Sequence, residues 1–231
     1  MQPTLFPWSG YLGLMMNVDK FIYLDTVQFA RRSWQQRNQI KTNNGAEWIT
    51  IPVIAKGKRD QIIKDVVIDN TSNFNKKIQK TITSAYIKSK NFNCSEAVFE
   101  ILNNENLQLS NLNIEIIDWI KQYLEIETQT IYASSLENRG AKANLLAHLC
   151  EQVGADEYIS PLGSQEYLEQ SNIFETKNIK LSYFQYNHPI YKQLHGDFLP
   201  NMSSIDLIFN EGKESINIIK ESIITGGYKD R

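Results

Sequence analysis

The sequence has few cysteines and histidines and no long apolar run. It has 2 cysteines and 3 histidines in 231 residues. Cys94 and Cys150 form no CxxC pair and have no histidine at ligand spacing, so we expect neither a metal site nor a disulfide framework. Two isolated cysteines in a chain of this length are typical of proteins in a reducing compartment. The longest apolar runs are four or five residues, whereas a membrane span needs about 20. Because the first residues also lack the basic region of a signal peptide, we predict a cytoplasmic protein with no membrane partner.

The sequence also lacks a strong charge of either sign and the common nucleotide motifs. Its 24 basic and 26 acidic residues give a net charge of −2, whereas nucleic-acid-binding domains are usually basic, so no nucleic-acid partner is expected. An RNA-binding function, with the basic run over 31–41 and Trp34 for stacking, is the weakest alternative. G-x-S-x-G, Walker A and dinucleotide fingerprints are absent, and no cofactor is predicted.

The residues that are present predict a globular protein with both helices and strands. Apolar residues make up 42% of the chain and aromatics 11%, which is enough for a substantial core. Apolar spacing predicts helices over about 73–89, 95–103, 110–124, 142–153 and 165–170, and another that begins at Ser203 or Ser204. Strand-like runs cover 21–24, 48–53, 62–68, 128–132, 157–160 and 179–186. We expect a Rossmann-like open α/β sheet with helices on both faces. A separate helical part at the C-terminus is an alternative that the sequence does not decide.

Turn residues, aromatics and polar residues concentrate in the first 53 residues. The run over 21–24 ends at Asp25, and Thr26 and Gln28 follow it. In an open α/β sheet, ligands bind in the crevice beyond the carboxyl ends of the strands, so these polar residues are placed at a candidate crevice. The alternative is that Asp25 only caps the strand end. The turn over 161–164 follows another strand in the same way, and it is a second candidate wall of that crevice.

A second polar stretch follows the strand predicted over 179–186. His188 precedes Pro189, and the residue before a proline is held extended. Tyr191, Gln193 and His195 follow within seven residues. An unperturbed histidine titrates near pH 6.5, so His188 is a candidate for proton transfer, together with Asp25 and Asp206. A purely structural role for His188 is equally compatible with the sequence.

These two stretches resemble the WbqC-like family, bacterial proteins associated with O-antigen and other surface-polysaccharide gene sets. The resemblance covers essentially the whole chain, which predicts a single domain over 1–231. In the first stretch it rests on Gln2-Pro3, Pro7-Trp8-Ser9-Gly10-Tyr11, Asp19, Asp25, Gln28, Arg37-Asn38-Gln39-Ile40-Lys41, Gly45, Trp48 and Pro52-Val53. In the second it rests on His188-Pro189, Tyr191, Gln193, Phe198, Ser203, Asp206, Asn210 and Gly212. Family members generally have a short apolar strand before the Gln-Pro pair, where this sequence has Met1.

The resemblance implies a nucleotide-linked amino sugar as substrate. The reaction that we expect is transfer of an acyl or aminoacyl group from an activated donor to the sugar amine, which requires a base and donors that stabilise an oxyanion. His188 is the expected base, Tyr191 or Gln193 would hold the carbonyl, and Asp25 is a further catalytic candidate. The expected diphosphate contacts are Arg31, Arg32, Arg37 and Lys41, since arginine favours phosphate geometry. The remaining expected substrate contacts are Gln2, Trp8, Tyr11, Gln28, Asn38 and Asp206. The sequence gives no oligomeric state.

A weaker similarity links Trp8-Ser9-Gly10-Tyr11 to the HxGH region of class I nucleotidyltransferases. The two histidines of that motif are replaced here by Trp8 and Tyr11. The similarity implies a Rossmann-like sheet that persists without adenylylation chemistry. A non-catalytic nucleotide-sugar-binding module is therefore the alternative function.

Overall fold

The computed structural model describes residues 1–104 and 108–224. The helices are α1 (Ser9–Met16), α2 (Phe74–Tyr86), α3 (Ser95–Asn103), α4 (Leu109–Leu124), α5 (Ala143–Gln152), α6 (Gln165–Glu169), α7 (Ile173–Thr176), α8 (Ser204–Glu211) and α9 (Ser215–Glu221). The strands are β1 (Lys20–Tyr23), β2 (Arg37–Thr42), β3 (Gly45–Thr50), β4 (Gln129–Tyr132), β5 (Glu157–Pro161) and β6 (Lys180–Phe184). In the described residues, no helix combines the length and the apolar character needed to cross a membrane.

The strands form three two-stranded sheets, which confirms the α/β prediction of open sheets with helices on both sides. β1 pairs with β4 in parallel, and β5 pairs with β6 in parallel. β2 and β3 form an antiparallel hairpin. Met1 extends the first pair, because its backbone N donates to Ile22 O at 2.8 Å and its O accepts from Leu24 N at 2.8 Å. Met1 therefore occupies a strand position on the edge of β1 that faces away from β4.

Most predicted helices form because their apolar residues share one face. In α4, Leu112, Ile116 and Ile120 recur at helical spacing and are all buried. α3 covers the predicted range, and α2, α4 and α5 differ from theirs by a few residues at the ends. α8 and α9 supply the helical C-terminal part that was left open.

The strand predicted over 62–68 is wrong. The structure has a single 3-10 turn, Ile63–Asp65, and isolated bridges on either side of it. Ile63 and Val66 are buried while Lys64 and Asp65 are exposed, and a spacing of three suits a helical turn better than the alternation of a strand. β2 was not predicted, because its sequence RNQIKT is mostly polar although Asn38, Lys41 and Thr42 face inward.

The main core forms where α1, α2, α3, α4 and α8 pack against β1 and the β2–β3 hairpin. A smaller cluster lies under β5 and β6, between α5, α6 and α7. Its central residues are Leu146, Ala147, Leu168 and Phe174. Met1, Leu24 and Tyr158 pack against these clusters and line the cleft described below.

Candidate functional site

A cleft of about 560 Å³ opens beyond the carboxyl ends of β1 and β5. Leu24, which follows β1, and Pro161, which ends β5, both belong to its wall. This is where ligands bind in open α/β sheets, and the turn over 161–164 contributes as the sequence predicts. The full lining is Met1, Gln2, Thr4, Trp8, Tyr11, Leu24, Ser33, Trp34, Gln35, Asn38, Leu146, Tyr158, Pro161, Ser164, Tyr167 and Asn201. No side chain in this lining is an acid, a basic residue or a histidine.

Trp8 forms one wall of the cleft and rests on the first turn of α1. A Cβ added at Gly10 would lie 2.2 Å from the indole Cη2 of Trp8, so only glycine leaves room for the ring in this position. The indole also packs edge-on against Tyr186, with ring centroids 5.5 Å apart. Gly10 therefore fixes the shape of the cleft by letting Trp8 lie close to the helix.

Trp34 and Trp48 form an aromatic platform beside the cleft. Trp34 belongs to the lining and is 51% exposed, and Trp48 is 41% exposed. Their ring centroids lie 5.4 Å apart, and the guanidinium carbon of Arg37 lies 4.1 Å from the Trp48 centroid. Such a cation–π contact holds the arginine side chain in place. The platform presents two tilted indole faces with a positive charge next to them.

Buried amides shape the floor of the cleft. The Nδ2 atom of Asn38 donates to Leu5 O at 3.0 Å and to Phe6 O at 2.7 Å. Gln35, which is 1% exposed, donates from Nε2 to Oε1 of Gln2 at 2.8 Å. These bonds hold the segment before α1 against β2. Gln2 and Asn38, two of the expected substrate contacts, lie in the lining, and Gln35 is a further lining residue that the sequence analysis does not single out.

His188 lies behind this wall rather than in it. Its ring is nearly parallel to that of Trp8, with centroids 6.4 Å apart. Nε2 accepts the backbone N–H of Asn201 at 2.9 Å, so Nδ1 carries the proton and donates to Pro189 O at 3.0 Å. A ring with this arrangement acts as a base only after the Asn201 bond opens. Trp8 and Asn201 both line the cleft. One layer of residues therefore separates His188 from the interior of the cleft.

Acidification is expected to destabilise the protein through His188. Burial lowers the pKa of His188 below 6.5 in the folded protein. As the pH falls, the imidazole is therefore protonated in the unfolded chain before it is protonated in the folded protein. Stability is then complete near pH 7 and falls as the pH drops below 6.5. Urea unfolding at several pH values over this range gives the free energy of unfolding of the wild type and of His188→Gln. The difference between the slopes of these free energies against pH isolates the contribution of His188 from that of other groups. Identical slopes would contradict the prediction.

Several predicted contact residues meet in a buried network centred on Asp206. Its carboxylate accepts hydrogen bonds from the hydroxyls of Tyr86 at 2.7 Å and Tyr191 at 2.8 Å, and from Gln193 Nε2 at 2.8 Å. Burial raises the pKa of Asp206, and these three donors partly oppose the rise. Asp206 is 0% exposed and does not line the cleft. The structure therefore places Tyr191, Gln193 and Asp206 together outside the cleft lining, with Asp206 buried and the other two half-buried.

Lys41 belongs to the same region and holds a loop. Its Nζ donates to Gly196 O at 3.2 Å and to Asp197 O at 2.5 Å, and its side chain is buried. The backbone N–H of Lys41 donates to the Tyr86 hydroxyl at 3.1 Å. The network thus fastens the chain over 191–206 to β2 and α2, and this chain carries Asn201 into the cleft wall.

Asp25 connects the ends of two neighbouring strands. Its Oδ1 accepts the Ser134 N–H at 2.9 Å and its Oδ2 accepts the Ser134 hydroxyl at 2.5 Å. It is 3% exposed and does not line the cleft, although Leu24 beside it does. Gln28 is exposed, as are Arg31 and Arg32. Of the expected substrate contacts, the structure places Gln2, Trp8, Tyr11 and Asn38 in the cleft lining. Tyr158 and Tyr167 also line the cleft, and the sequence analysis does not single them out because they stand in segments without any motif.

Comparison with known proteins shows the family of this chain and a relative in another organism. A sequence profile described as "WbqC-like protein family" matches residues 2–218. A protein of Mycobacterium tuberculosis (strain ATCC 25618 / H37Rv), named "Uncharacterized protein Rv1507c", is 34% identical over 231 residues, which cover 95% of this chain and 96% of the relative. No solved structure matches.

Proposed function

The chain belongs to the WbqC-like protein family, and from this premise we propose that its cleft binds a nucleotide-linked amino sugar. One observation carries the proposal, which is the chemistry of the cleft lining. Two indoles, four side-chain amides and several hydroxyls line a volume of about 560 Å³ without an ionised side chain. Amides and hydroxyls match the many donors and acceptors of a sugar, and indoles stack on its apolar face or on a base.

The charged part of the ligand is proposed to lie outside the cleft. Trp34 offers a stacking surface for a nucleobase, and such stacking contributes about 1 to 3 kcal/mol per base. Arg31 and Arg32 precede Ser33 of the lining and are exposed, and Arg37 stands on the platform. A diphosphate between sugar and base would therefore pass beside these guanidinium groups, whose fork geometry suits phosphate oxygens.

Titration calorimetry tests this function. The ligands are a panel of nucleotide-linked amino sugars, and the matched controls are the same nucleotides without the sugar. We expect binding that requires both parts, and a variant Trp119→Ala, altered on α4 away from the cleft lining, serves as the protein control. Binding that is equal for the nucleotides alone would remove the sugar from the proposal, and no binding across the panel would overturn it.

Arg37→Ala is expected to raise the dissociation constant for the nucleotide-linked sugar roughly fivefold. This corresponds to the loss of a partly exposed charge contact of about 1 kcal/mol. Arg37→Lys keeps the charge without the fork, and we expect a smaller loss. Added salt should weaken wild-type binding and affect Arg37→Ala less, because one screened contact is already gone. Equal dissociation constants for the wild type and Arg37→Ala would show that Arg37 serves only to pack on Trp48.

Acyl or aminoacyl transfer to the sugar amine is the second candidate, because the family resemblance implies it and His188 lies one residue layer behind the cleft wall. In this reaction the ammonium form of the sugar amine loses a proton to a base, and the neutral nitrogen attacks the carbonyl of an activated donor. The bond from that carbonyl to its leaving group then breaks, the leaving group departs with the bonding electron pair, and the nitrogen loses its second proton. The lining offers no base, so His188 would first have to release the Asn201 N–H. Mass spectrometry of the sugar after incubation with acyl donors detects the transfer, and His188→Asn should then bind the sugar without modifying it. A wild type that binds without turnover is a binding module.

A further inference from the structure

The cleft offers no counter-ion for a positively charged group. Among the residues that the structure describes, its lining contains no carboxylate. Asp25 lies beside the lining, but both of its carboxylate oxygens accept hydrogen bonds from Ser134. Asp206 is fully buried and accepts from three side chains, and Glu166 is exposed outside the lining. A cation inside the cleft would therefore find no acidic partner there.

The charges next to the cleft are positive instead. Arg31 and Arg32 are exposed just before Ser33 of the lining. Arg37 stands on the aromatic platform beside it. α1 begins directly after Trp8 and has no acidic residue in its first turn, and the first turn of a helix carries a partial positive charge. These charges favour a phosphate beside the cleft and disfavour a cation within it.

A free sugar amine and an acylated one differ in charge. An α-amino group titrates at about pH 8, and a sugar amine of similar chemistry is largely protonated at neutral pH. Moving an ammonium out of water without an opposite charge is costly. An amide is neutral and keeps one hydrogen-bond donor and one acceptor, which the amides and hydroxyls of the lining can satisfy. The cleft therefore suits the acylated form better.

One wall of the cleft also suits the carbon atoms of an acyl group. Leu24 follows β1, Pro161 ends β5, and Leu146 of α5 joins them in the lining. Leu24 and Pro161 are half-buried, so they keep apolar surface that a ligand can cover. Burying one methyl group improves binding by roughly fourfold. A free amine brings no carbon atom to this wall.

We propose that the cleft takes an amino sugar whose amine is already acylated, and that the acyl group packs against Leu24, Leu146 and Pro161. This inference rests on the proposed binding of a nucleotide-linked amino sugar and specifies the form of that sugar. The reaction that supplies the ligand is then an N-acylation of the sugar amine. In the transfer reaction considered above, the cleft would hold the product more tightly than the substrate.

Titration calorimetry with three forms of each nucleotide-linked sugar tests the inference. The forms are the free amine, the N-acetyl amide, and the parent sugar with a hydroxyl in place of the amine. We expect the amide to bind roughly tenfold more tightly than the free amine and roughly fourfold more tightly than the parent sugar.

The possible failures are distinguishable. Free amine that binds as tightly as the amide would overturn the inference by showing that the aromatic rings hold an ammonium. Equal binding of the amide and the parent sugar would overturn it because the acyl group then gains nothing from the apolar wall. No binding of any form would overturn the proposed function itself, and the inference with it.

Gln2→Glu adds a carboxylate to the lining at almost unchanged size. Gln2 is exposed, and its Oε1 accepts from Gln35 Nε2 at 2.8 Å, a bond that glutamate can keep. We expect the dissociation constant of the free amine, divided by that of the amide, to fall by about threefold because the ammonium gains an opposite charge. Gln122→Glu adds the same charge at an exposed position of α4 outside the lining and should leave this ratio unchanged. An unchanged ratio in Gln2→Glu would overturn the inference.

Discussion

Asp206→Ala is expected to lower the free energy of unfolding by about 3 to 5 kcal/mol. The substitution leaves the Tyr86 and Tyr191 hydroxyls and the Gln193 amide without their shared acceptor, and each buried donor without a partner costs about 1 to 3 kcal/mol. Part of the cost is recovered because burying the Asp206 carboxylate, whose pKa is raised, is itself unfavourable. Urea unfolding followed by circular dichroism measures the loss.

Two matched variants interpret this result. Asp206→Asn keeps the size of the side chain but puts a donor where an acceptor stood, so we expect an intermediate loss. Asp197→Asn alters an exposed carboxylate nearby in the chain and should change stability by less than about 0.5 kcal/mol. A loss below about 1 kcal/mol for Asp206→Ala would mean that the three donors find other partners, and that the network does not hold the chain over 191–206.

Gly10→Ala is expected to separate binding from stability. The new Cβ would lie 2.2 Å from Trp8, so the indole must leave its place over α1 and the cleft loses one wall. Losing one stacking surface weakens binding by about thirtyfold, or about 2 kcal/mol. Alanine also favours a helix over glycine by about 1 kcal/mol, which offsets the strain of moving the ring.

Calorimetry with the tightest ligand of the panel and thermal unfolding measure the two effects in the same samples. Gly163→Ala is the control, because a Cβ there meets nothing within 4 Å and the residue lies in the neighbouring turn. Unchanged affinity in Gly10→Ala would show that Trp8 is not part of the ligand site. A large loss of stability would show instead that the packing of Trp8 matters to the fold.

The sequence predicts most of the longer helices, because their apolar spacing is a local pattern. The amphipathic spacing of α3 gives its bounds directly. The polar residues after the run over 21–24 mark the end of β1, and the cleft opens at that end. The two parallel pairs and their partners are not visible in any local pattern, since β1 pairs with a strand more than 100 residues later.

The division of polar residues between the cleft and the interior is not predictable from sequence in the same way. Lys41 and Asp206 are residue types that often contact ligands, but β2 and α8 place their side chains in the interior. There Lys41 donates to a backbone carbonyl and Asp206 accepts from side chains. Asn38 is both buried and part of the cleft lining. A side chain's type is local, whereas the direction in which it points depends on how distant elements pack. Tyr158 and Tyr167 reach the cleft for the same reason.

The contacts of the chain over 191–206 also determine when this protein can finish folding. Lys41 and Asp197 are 156 residues apart in sequence, and Tyr86 and Asp206 are 120 apart. Contacts between residues so far apart in the chain slow folding, because a large loop must close before they form. During synthesis, the β2–β3 hairpin and α2 leave the ribosome long before their partners, so Lys41 has no carbonyl to bind until the loop over 195–199 emerges. The first third of the chain therefore cannot complete its packing until the last third has been synthesised. A ribosome that stalls between these two parts leaves an incompletely packed core accessible to chaperones and proteases.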